Sequence, residues 1–284
     1  MSGRVTARRR MLRLGPAGEV RRQDTLAVEE PLEVRVDGQS LTVTMRTPGN
    51  DIDLVHGLLL SENMIGSAED VVSARYCAGT DEQGRNTYNV LDVRLRVPAV
   101  VRTRHVLTTG ACGLCGKTAL DEVRAAGRFP QPDPGPSVDA SALARMPLTL
   151  REHQSVFDAT GGLHAAGLFT PDGRVLAVRE DIGRHNAVDK VVGWALRENR
   201  VPAGELVLIV SGRASFELAQ KAVMAGIPVL GAVSAPSSLA VDLAVETGLT
   251  LVAFLRGETM NVYSGAHRVR TAEARTAEAE DRSA

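Results

Sequence analysis

Apolar and polar residues alternate along Leu32-Glu33-Val34-Arg35-Val36 and again along Leu41-Thr42-Val43-Thr44-Met45. A period of two belongs to a strand with one buried face, and Asp37-Gly38 between the runs signals a tight hairpin. Pro48-Gly49-Asn50-Asp51 breaks the second run and offers a helix cap. From Ile52 to Leu60 the apolar spacing becomes helical, and it ends near Gly66. Val71 to Cys77 and Thr87 to Val97 read as two further strands around a polar turn at Asp81 to Gly84. Residues 23–105 therefore predict a small β-rich unit carrying one helix.

Thr118 to Ala126 and Ser141 to Leu150 have the spacing of short helices. Between them Pro130, Pro132, Pro134, Gly135 and Pro136 exclude regular structure and predict a mobile connector. From Ser155 the rhythm changes. Leu163 to Phe169 and Val175 to Val178 flank Pro171-Asp172-Gly173, a second hairpin. Helix (about Arg184 to Glu198), strand (Leu206 to Val210), helix (Phe216 to Ala225), strand (Val229 to Val233), helix (Ser238 to Glu246) and strand (Thr250 to Leu255) follow. Strands alternating with helices imply βαβ crossovers and a largely parallel sheet with helices on its faces.

The ends differ from the middle. Residues 1–22 are Arg-rich and read as a basic flexible tail, and residues 266–284 are Ala, Glu and Arg rich without a hydrophobic face, a polar tail. The chain thus divides into 1–22, a β-rich domain 23–105, a mobile cysteine loop and Pro-rich connector 106–137, an α/β domain 138–265, and 266–284. At 44% hydrophobic and 24% charged residues in 284, the composition is that of a globular protein of one or two domains. The net charge of -1 gives no general case for nucleic acid or an anionic membrane surface. No apolar run approaches the roughly 20 residues of a membrane span, and the basic N-terminus lacks the apolar core of a signal peptide. Three cysteines make no disulfide scaffold. A cytoplasmic protein with no membrane insertion is expected.

Chemistry concentrates in Thr108-Thr109-Gly110-Ala111-Cys112-Gly113-Leu114-Cys115-Gly116-Lys117. Thiols act as thiolates, which nearby N–H groups and cations favour, and glycines let reactants approach the sulfurs. Three chemistries fit such a pair. Zinc needs about four ligands, and the nearest offered elsewhere along the chain, Cys77, His105 and His153, have no paired spacing. A thioredoxin-like centre needs the pair at the helix start of a βαβ unit, which the β-rich context does not supply. Sulfur carriage needs an exposed nucleophilic cysteine on a loop able to reach donor and acceptor, and the stretch meets that demand. Cys77, in an apolar context at a strand end, reads as a core thiol.

In the second half three loops leave strands and open helices: Arg179 to Asn186, Ser211 to Ser215 and Ser234 to Ser238. Ligands of open α/β sheets collect at such carboxyl ends, where helix N-termini favour anions. Asp181, Gly183, Arg184, His185, Ser211, Gly212, Arg213 and Ser234 are therefore candidates for a phosphate or nucleotide site, although a Ser or Asp at such a place also serves as a simple cap. Phe254-Leu255-Arg256-Gly257-Glu258-Thr259 ends the last strand, with Arg256 able to grip a phosphate or guanine edge and Phe254 able to stack; the stretch reads equally as a core Phe254 and a solvated Arg256 at a strand end. The order of elements resembles the cytidine deaminase fold. Its zinc motifs H-x-E and P-C-x-x-C would fall on His185-Asn186-Ala187 and Ser211 to Ser215, where the glutamate and both cysteines are missing. Deaminase chemistry is excluded, and no metal ligand or tightly bound zinc is expected.

The cysteine loop resembles that of the FdhD family, the sulfur carrier proteins required for formate dehydrogenase activity. So do Glu29-Glu30-Pro31-Leu32, Met45-Arg46-Thr47-Pro48-Gly49, Thr160 to Ala166, Arg179 to Lys190 and Ser211-Gly212-Arg213, in order over roughly Thr25 to Tyr263. The resemblance implies a carrier that accepts sulfur from a cysteine desulfurase as a persulfide and passes it to the bis-molybdopterin guanine dinucleotide cofactor of formate dehydrogenase. It implies a deaminase-like three-layer C-terminal domain whose zinc site is lost, a smaller β-rich N-terminal domain, and a homodimer binding the guanine end of the cofactor, which GDP mimics. Cys112 takes the family's persulfide position, Cys115 assists, and Phe254 to Thr259 fall on the cofactor-binding stretch. Gly110-Ala111 replace hydroxyl residues common in relatives. The alternative is a non-catalytic chaperone delivering the molybdenum cofactor, for which neither cysteine would be needed.

Overall fold

The computed structural model describes residues 5–16, 18–77, 79, 87–98 and 127–271. Cys112, Cys115, the turn at Asp81 to Gly84 and the helix expected from Thr118 to Ala126 lie outside the described residues.

The chain begins with a ribbon. Strands β1 (Thr6–Gly15) and β2 (Gly18–Ala27) pair antiparallel from Thr6 opposite Ala27 to Gly15 opposite Gly18. From Thr6 onward this ribbon stands where part of a flexible tail, residues 1–22, was expected. The ribbon exposes most of both faces, Leu12, Leu14 and Val20 included, so no one-sided apolar alternation announces it.

Strands β3 (Glu30–Val36) and β4 (Gln39–Arg46), helix α1 (Asp51–Ser61), and strands β5 (Val71–Tyr76) and β6 (Val90–Leu95) form the β-rich unit. Sheet order is β4-β3-β6-β5, with β3 and β6 parallel and the other pairs antiparallel. Leu32, Val34, Val36, Leu91 and Val93 are fully buried on one face, as the alternation predicts. Asp37 (φ 50°) and Gly38 (φ 80°) both take left-handed backbone at the hairpin, the geometry of its tightest turn.

Residues 127–137 contain no helix or strand, as their prolines require. They are nevertheless tied down: Phe129 packs against the core, and the Pro132 carbonyl accepts a hydrogen bond from Arg268 Nη2 at 2.6 Å. Strand β7 (Val138–Asp139), helices α2 (Ala140–Glu152) and α3 (Ser155–Thr160), and strands β8 (His164–Phe169) and β9 (Val175–Asp181) follow. Then come α4 (Arg184–Arg197), β10 (Val207–Val210), α5 (Phe216–Met224), β11 (Val229–Ala232), α6 (Ser238–Thr247), β12 (Thr250–Arg256), β13 (Thr259–Ser264) and β14 (Val269–Arg270). The root of the ribbon packs on α3.

The main sheet runs β13-β12-β11-β10-β8-β9. Only β10, β11 and β12 are mutually parallel; the other three neighbouring pairs are antiparallel, so the sheet is mixed rather than largely parallel. The crossover through α4 does carry β10 back in the direction of β9, but β8 lies between them and faces both antiparallel. β13, unforeseen, returns along β12 after the turn at Gly257. One face of the sheet, including Leu208, Val210, Leu230 and Leu251, packs under α4, α5 and α6; the other, including Val207, Ile209, Val229 and Val252, packs on Leu143, Met146 and Leu150 of α2. That makes three layers. All four residues of β10 are buried, as expected of a strand covered on both faces.

Residues 266–270, expected within a polar tail, are part of the body. β14 pairs parallel with β7, and the 4% exposed Arg268 donates through Nη1 to the Gly248 carbonyl (2.8 Å) and Thr250 Oγ1 (3.1 Å). Buried polar anchoring has no hydrophobic signature. No helix among the described residues is long and apolar enough to cross a membrane.

The two units share one core. α1 lies on α4, with the backbone of Gly57 against Asp189 and that of Gly193 against Asp53. Charged pairs ring this contact: Asp53 binds Arg179 (3.1 Å) and Arg197 (2.5 Å), while Lys221 reaches Asp189 (2.7 Å), which Ser61 also contacts (3.3 Å). Arg46, fully buried, forks onto Asp51 with both contacts at 3.1 Å and reaches Glu30 at 3.3 Å. Burial without such partners would cost several kcal/mol per charge, on the order of 3–5.

Candidate functional site

The carboxyl ends of β9, β10, β11 and β12, the start of β8, and the N-termini of α4, α5 and α6 meet at one end of the main sheet. The loops there are stitched to one another through the backbone. Ser234 N–H donates to the Gly212 carbonyl (3.2 Å), Ala214 N–H to Ala235 (3.2 Å), Ser237 N–H to Ala214 (2.9 Å) and Phe254 N–H to Ser234 (3.3 Å). The result is a continuous, rigid ledge on which side chains of three loops keep fixed spacing.

Most predicted residues stand on this ledge, in different roles. Ser211 is a lock: its hydroxyl accepts the Ala165 N–H (2.9 Å) and its own N–H donates to the Ala165 carbonyl (3.0 Å). Gly212 lies close to two side chains: a Cβ there would stand at ordinary contact distance, 3.4 Å from His164 Nδ1 and 4.0 Å from Arg184 Cδ. Arg213 is exposed. Ser234 is half-buried, and the cap of α6 is Ser237, whose hydroxyl accepts the Ala240 N–H. Arg256 bends back, donating through Nε to the Val233 carbonyl at 3.2 Å.

Phe254 is unusual. It holds φ at 54°, in the left-handed region costly for an aromatic residue, within a bulge where the β12–β13 register shifts, and it stays 36% exposed. Gly257 (φ 58°), Glu258 and Thr259 form the exposed turn beyond it. Leu255 points the other way, 1% exposed among the side chains facing α2, and belongs to the core rather than the ledge.

Asp181 does not face the ledge either. It is fully buried, 2.7 Å from Lys190 Nζ, and accepts N–H groups of Thr47 (3.2 Å) and Gly183 (2.9 Å) and the Asn186 amide (3.1 Å). All its acceptor capacity is spent on joining the two units and shaping the start of α4. Asn186 also donates to the Met45 carbonyl (2.8 Å), so the motif Arg179 to Lys190 is largely a clamp. Arg184 and His185 at its helix start are only partly buried.

His185 pairs with Glu217 (2.8 Å), and Ser215 Oγ lies 3.5 Å from the same nitrogen. The hydrogen bond from His185, against the opposing cost of burial, holds the Glu217 carboxyl below its usual range. Arg184 Nε is buried without a hydrogen-bond partner among the described residues. His164, opposite Asp181 across β8 and β9, is half-buried; burial first, then the positive Arg184 and His185, push its pKa down. His164, Ser215 and Glu217 were not among the predicted site residues. The one available signal for His164 is a lone histidine opening an apolar strand after Gly161-Gly162. Among the described residues no group of three or more His, Cys, Asp or Glu side chains is arranged for a metal ion.

A buried guanidinium nitrogen without a partner among the described residues, an exposed arginine and a partly exposed aromatic ring thus share one ledge. Comparison with known proteins puts this ledge in context. The structure superposes on the crystal structure of a candidate formate dehydrogenase accessory protein from Desulfotalea psychrophila with a TM-score of 0.73, covering 94% of this chain and all of that one, at 24% identity. A protein from Nocardia farcinica called sulfur carrier protein FdhD is 83% identical over 276 residues, 97% of this chain and 99% of that protein. One of the same name from Mycolicibacterium paratuberculosis is 60% identical over 93% of this chain and 99% of its own length. The model of the FdhD/NarQ family matches residues 27–270, from the last residue of the ribbon to the last residue of β14, and the chain belongs to that family.

Proposed function

We propose that this chain is a sulfur carrier, a sulfurtransferase in the wider sense, that receives sulfur on Cys112 from a cysteine desulfurase and hands it to the bis-molybdopterin guanine dinucleotide destined for formate dehydrogenase. The observation that carries the reading is the Gly-flanked Cys112-Gly113-Leu114-Cys115 pair in a chain 83% identical to a relative named as a sulfur carrier. In the loading step the Cys112 thiolate attacks the outer sulfur of the donor persulfide. A new S–S bond forms on Cys112 while the donor's S–S bond breaks, and the donor cysteine leaves as thiolate. Release as sulfide needs two electrons, which Cys115 supplies: its thiolate attacks Cys112 Sγ, a disulfide forms, and hydrosulfide departs. A cellular dithiol then reduces that disulfide.

The acceptor is a substrate, and the ledge is where its guanine nucleotide end would rest. Arg184, Arg213 and Arg256 supply positive charge for phosphates, and Phe254 offers a ring for stacking. The mixed three-layer sheet order supports a deaminase-like topology put to nucleotide binding without zinc. The assembly acts as a homodimer in the cytoplasm.

The test is mass spectrometry of the full chain after incubation with a cysteine desulfurase and cysteine. One added sulfur atom is expected on the peptide containing Cys112. Equal loading of Cys112→Ala overturns the assignment, and formate dehydrogenase activation surviving loss of both cysteines overturns the carrier reading.

A further inference from the structure

We propose that the exposed ribbon of β1 and β2 docks on helix α6 of a second copy of this chain, in two contacts exchanged about a two-fold axis. The inference rests on the homodimer reading and goes beyond it by naming the two surfaces that meet. Away from its root the ribbon is open to solvent, with Leu12 46%, Leu14 68% and Val20 54% exposed. A two-stranded ribbon standing by itself is marginal in water, so a surface that covers it stabilises the ribbon as well as the complex. Its charge says what that surface is. Arg8, Arg9, Arg10, Arg13, Arg21 and Arg22 against Glu19 and Asp24 give residues 6–27 a net charge of +4, which leaves −5 on the rest of a chain whose total is -1. Two ribbons laid on one another would repel, whereas the ribbon of one copy and the body of another attract.

Among the described helices two expose a large apolar side chain, α2 through Leu148 and α6 through Val245. Leu148 lies one turn from the exposed Arg145 and Arg151, the wrong sign for an arginine-rich ribbon. Val245 is 62% exposed and lies one turn from Val241, with the exposed Asp242 and Glu246 alongside. The ribbon matches this stripe. Leu12 and Leu14 share one face of β1 about 7 Å apart, close to the roughly 6 Å between helix neighbours such as Val241 and Val245. Arg10 precedes Leu12 on that face and Arg21 is its cross-strand partner, so guanidinium groups flank the leucines as carboxylates flank the valines. The contact is one between copies, because the ribbon's own α6 lies on the far side of the molecule. The ribbon root packs on α3, which is tied to Glu180 of the edge strand β9, while α6 packs on β12 and on β13, the opposite edge. Ten residues at about 3.3 Å and a width of about 10 Å give the ribbon a face of about 330 Å². Two reciprocal contacts can therefore bury up to about 1,300 Å² over both partners, the size of an ordinary stable interface. Since α6 opens on the ledge, the docked ribbon of one protomer would border the ledge of the other.

The experiment is sedimentation velocity of the full chain over a range of concentrations, with circular dichroism as the check on folding. The parent should sediment as a dimer that separates on dilution. Leu12→Asp and Val245→Arg change exposed positions and should leave the fold intact. Each should raise the dimer dissociation constant about a hundredfold, since a substitution enters a two-fold dimer twice and about tenfold is lost at each contact. Arg21→Glu and Asp242→Arg should each weaken the dimer, and the two in one chain should restore it, which mere damage to either surface would not do. Co-sedimentation with phosphatidylglycerol vesicles and titration with duplex DNA run beside these measurements. A dimer that neither Leu12→Asp nor Val245→Arg weakens overturns the inference and leaves the homodimer reading intact. Weakening by the ribbon changes alone, with no restoration in the charge exchange, overturns α6 as the seat. Binding to vesicles or DNA that Arg21→Glu abolishes, in a chain whose dimer it leaves unchanged, gives the ribbon to that partner and overturns the inference. A parent that stays monomeric at every concentration overturns both.

Discussion

A Cβ built on Gly193 of α4 would lie 2.7 Å from the backbone nitrogen of Gly57 on α1 and 1.8 Å from the carbonyl oxygen of Asp53. The β-rich and α/β units therefore meet backbone to backbone at Gly57 and Gly193. On an exposed helix Gly→Ala would be stabilising by about 1 kcal/mol. Here steric exclusion wins: Gly193→Ala should lower stability by about 3 kcal/mol or more, because a packed backbone has to move apart. Urea unfolding of the variant gives the number. A neutral or raised midpoint would show that the helices do not pack this closely.

Asp181 and Lys190 lock the same junction from inside, each less than 2% exposed. If Asp181 were a ligand group, Asp181→Asn would weaken nucleotide binding and leave stability alone. Its position predicts the reverse order of effects, because the amide leaves Lys190 charged and unpaired. A loss of about 3 kcal/mol is expected. Asp181→Asn with Lys190→Met should cost less than the two single changes added together, the signature of a direct pair. Chemical denaturation of the three variants decides between clamp and ligand.

The alternation in β3 and β4 and the helix–strand rhythm after Ser155 were legible because each element there shows one apolar face to one core. Leu32, Val34 and Val36 are the clearest instance, all fully buried. The ribbon of β1 and β2 was not legible, since two exposed faces leave no one-sided alternation. The direction of β8 was not legible either. A hairpin followed by a crossover fits either strand as the neighbour of β10, and only tertiary packing selects β8. The Arg179 to Lys190 motif reads alike as ligand site or clamp, because both uses demand charged residues at a strand end. Burial divides it: Asp181 and Lys190 go inside, and Arg184 and His185 stay half-exposed.

Acid should loosen the same junction. His56 lies in α1, 6% exposed, its Nδ1 2.7 Å from the Ile52 carbonyl, and burial pushes its pKa below the ordinary 6.5. Its neutral form is the one the folded chain accommodates. The associated stability is therefore present in full above about pH 6.5, and is lost as pH falls from there through the lower folded-state value, because the unfolded chain binds the proton first. Stability measured in urea at pH steps downward from neutrality should decline over this window. The decline should be shallower in His56→Gln, which keeps a donor for Ile52 and cannot take the proton. His164, shifted in the same direction, accounts for a further part of the slope. Equal slopes in the parent and His56→Gln would remove His56 as a cause.

Phe254 separates stability from binding more sharply than any other residue of the ledge. A left-handed phenylalanine stores roughly 1–3 kcal/mol of backbone strain, and its ring is too exposed to recover that through packing. Glycine at this position relieves the strain but loosens the unfolded chain, at a cost of about 0.5–1 kcal/mol. Phe254→Gly should thus leave stability within about 1 kcal/mol of the parent, with the sign set by which of the two effects is larger. Nucleotide affinity should behave differently. Removing a stacking ring costs about 1–3 kcal/mol per base, so GDP should bind at least about fivefold more weakly. Phe254→Leu, which keeps the strain and loses the ring, should be the less stable variant and bind equally poorly. Paired unfolding and GDP titrations of the two variants make the comparison. If Phe254→Gly binds GDP as the parent does, the strained phenylalanine has another purpose, and the base must rest elsewhere on the ledge.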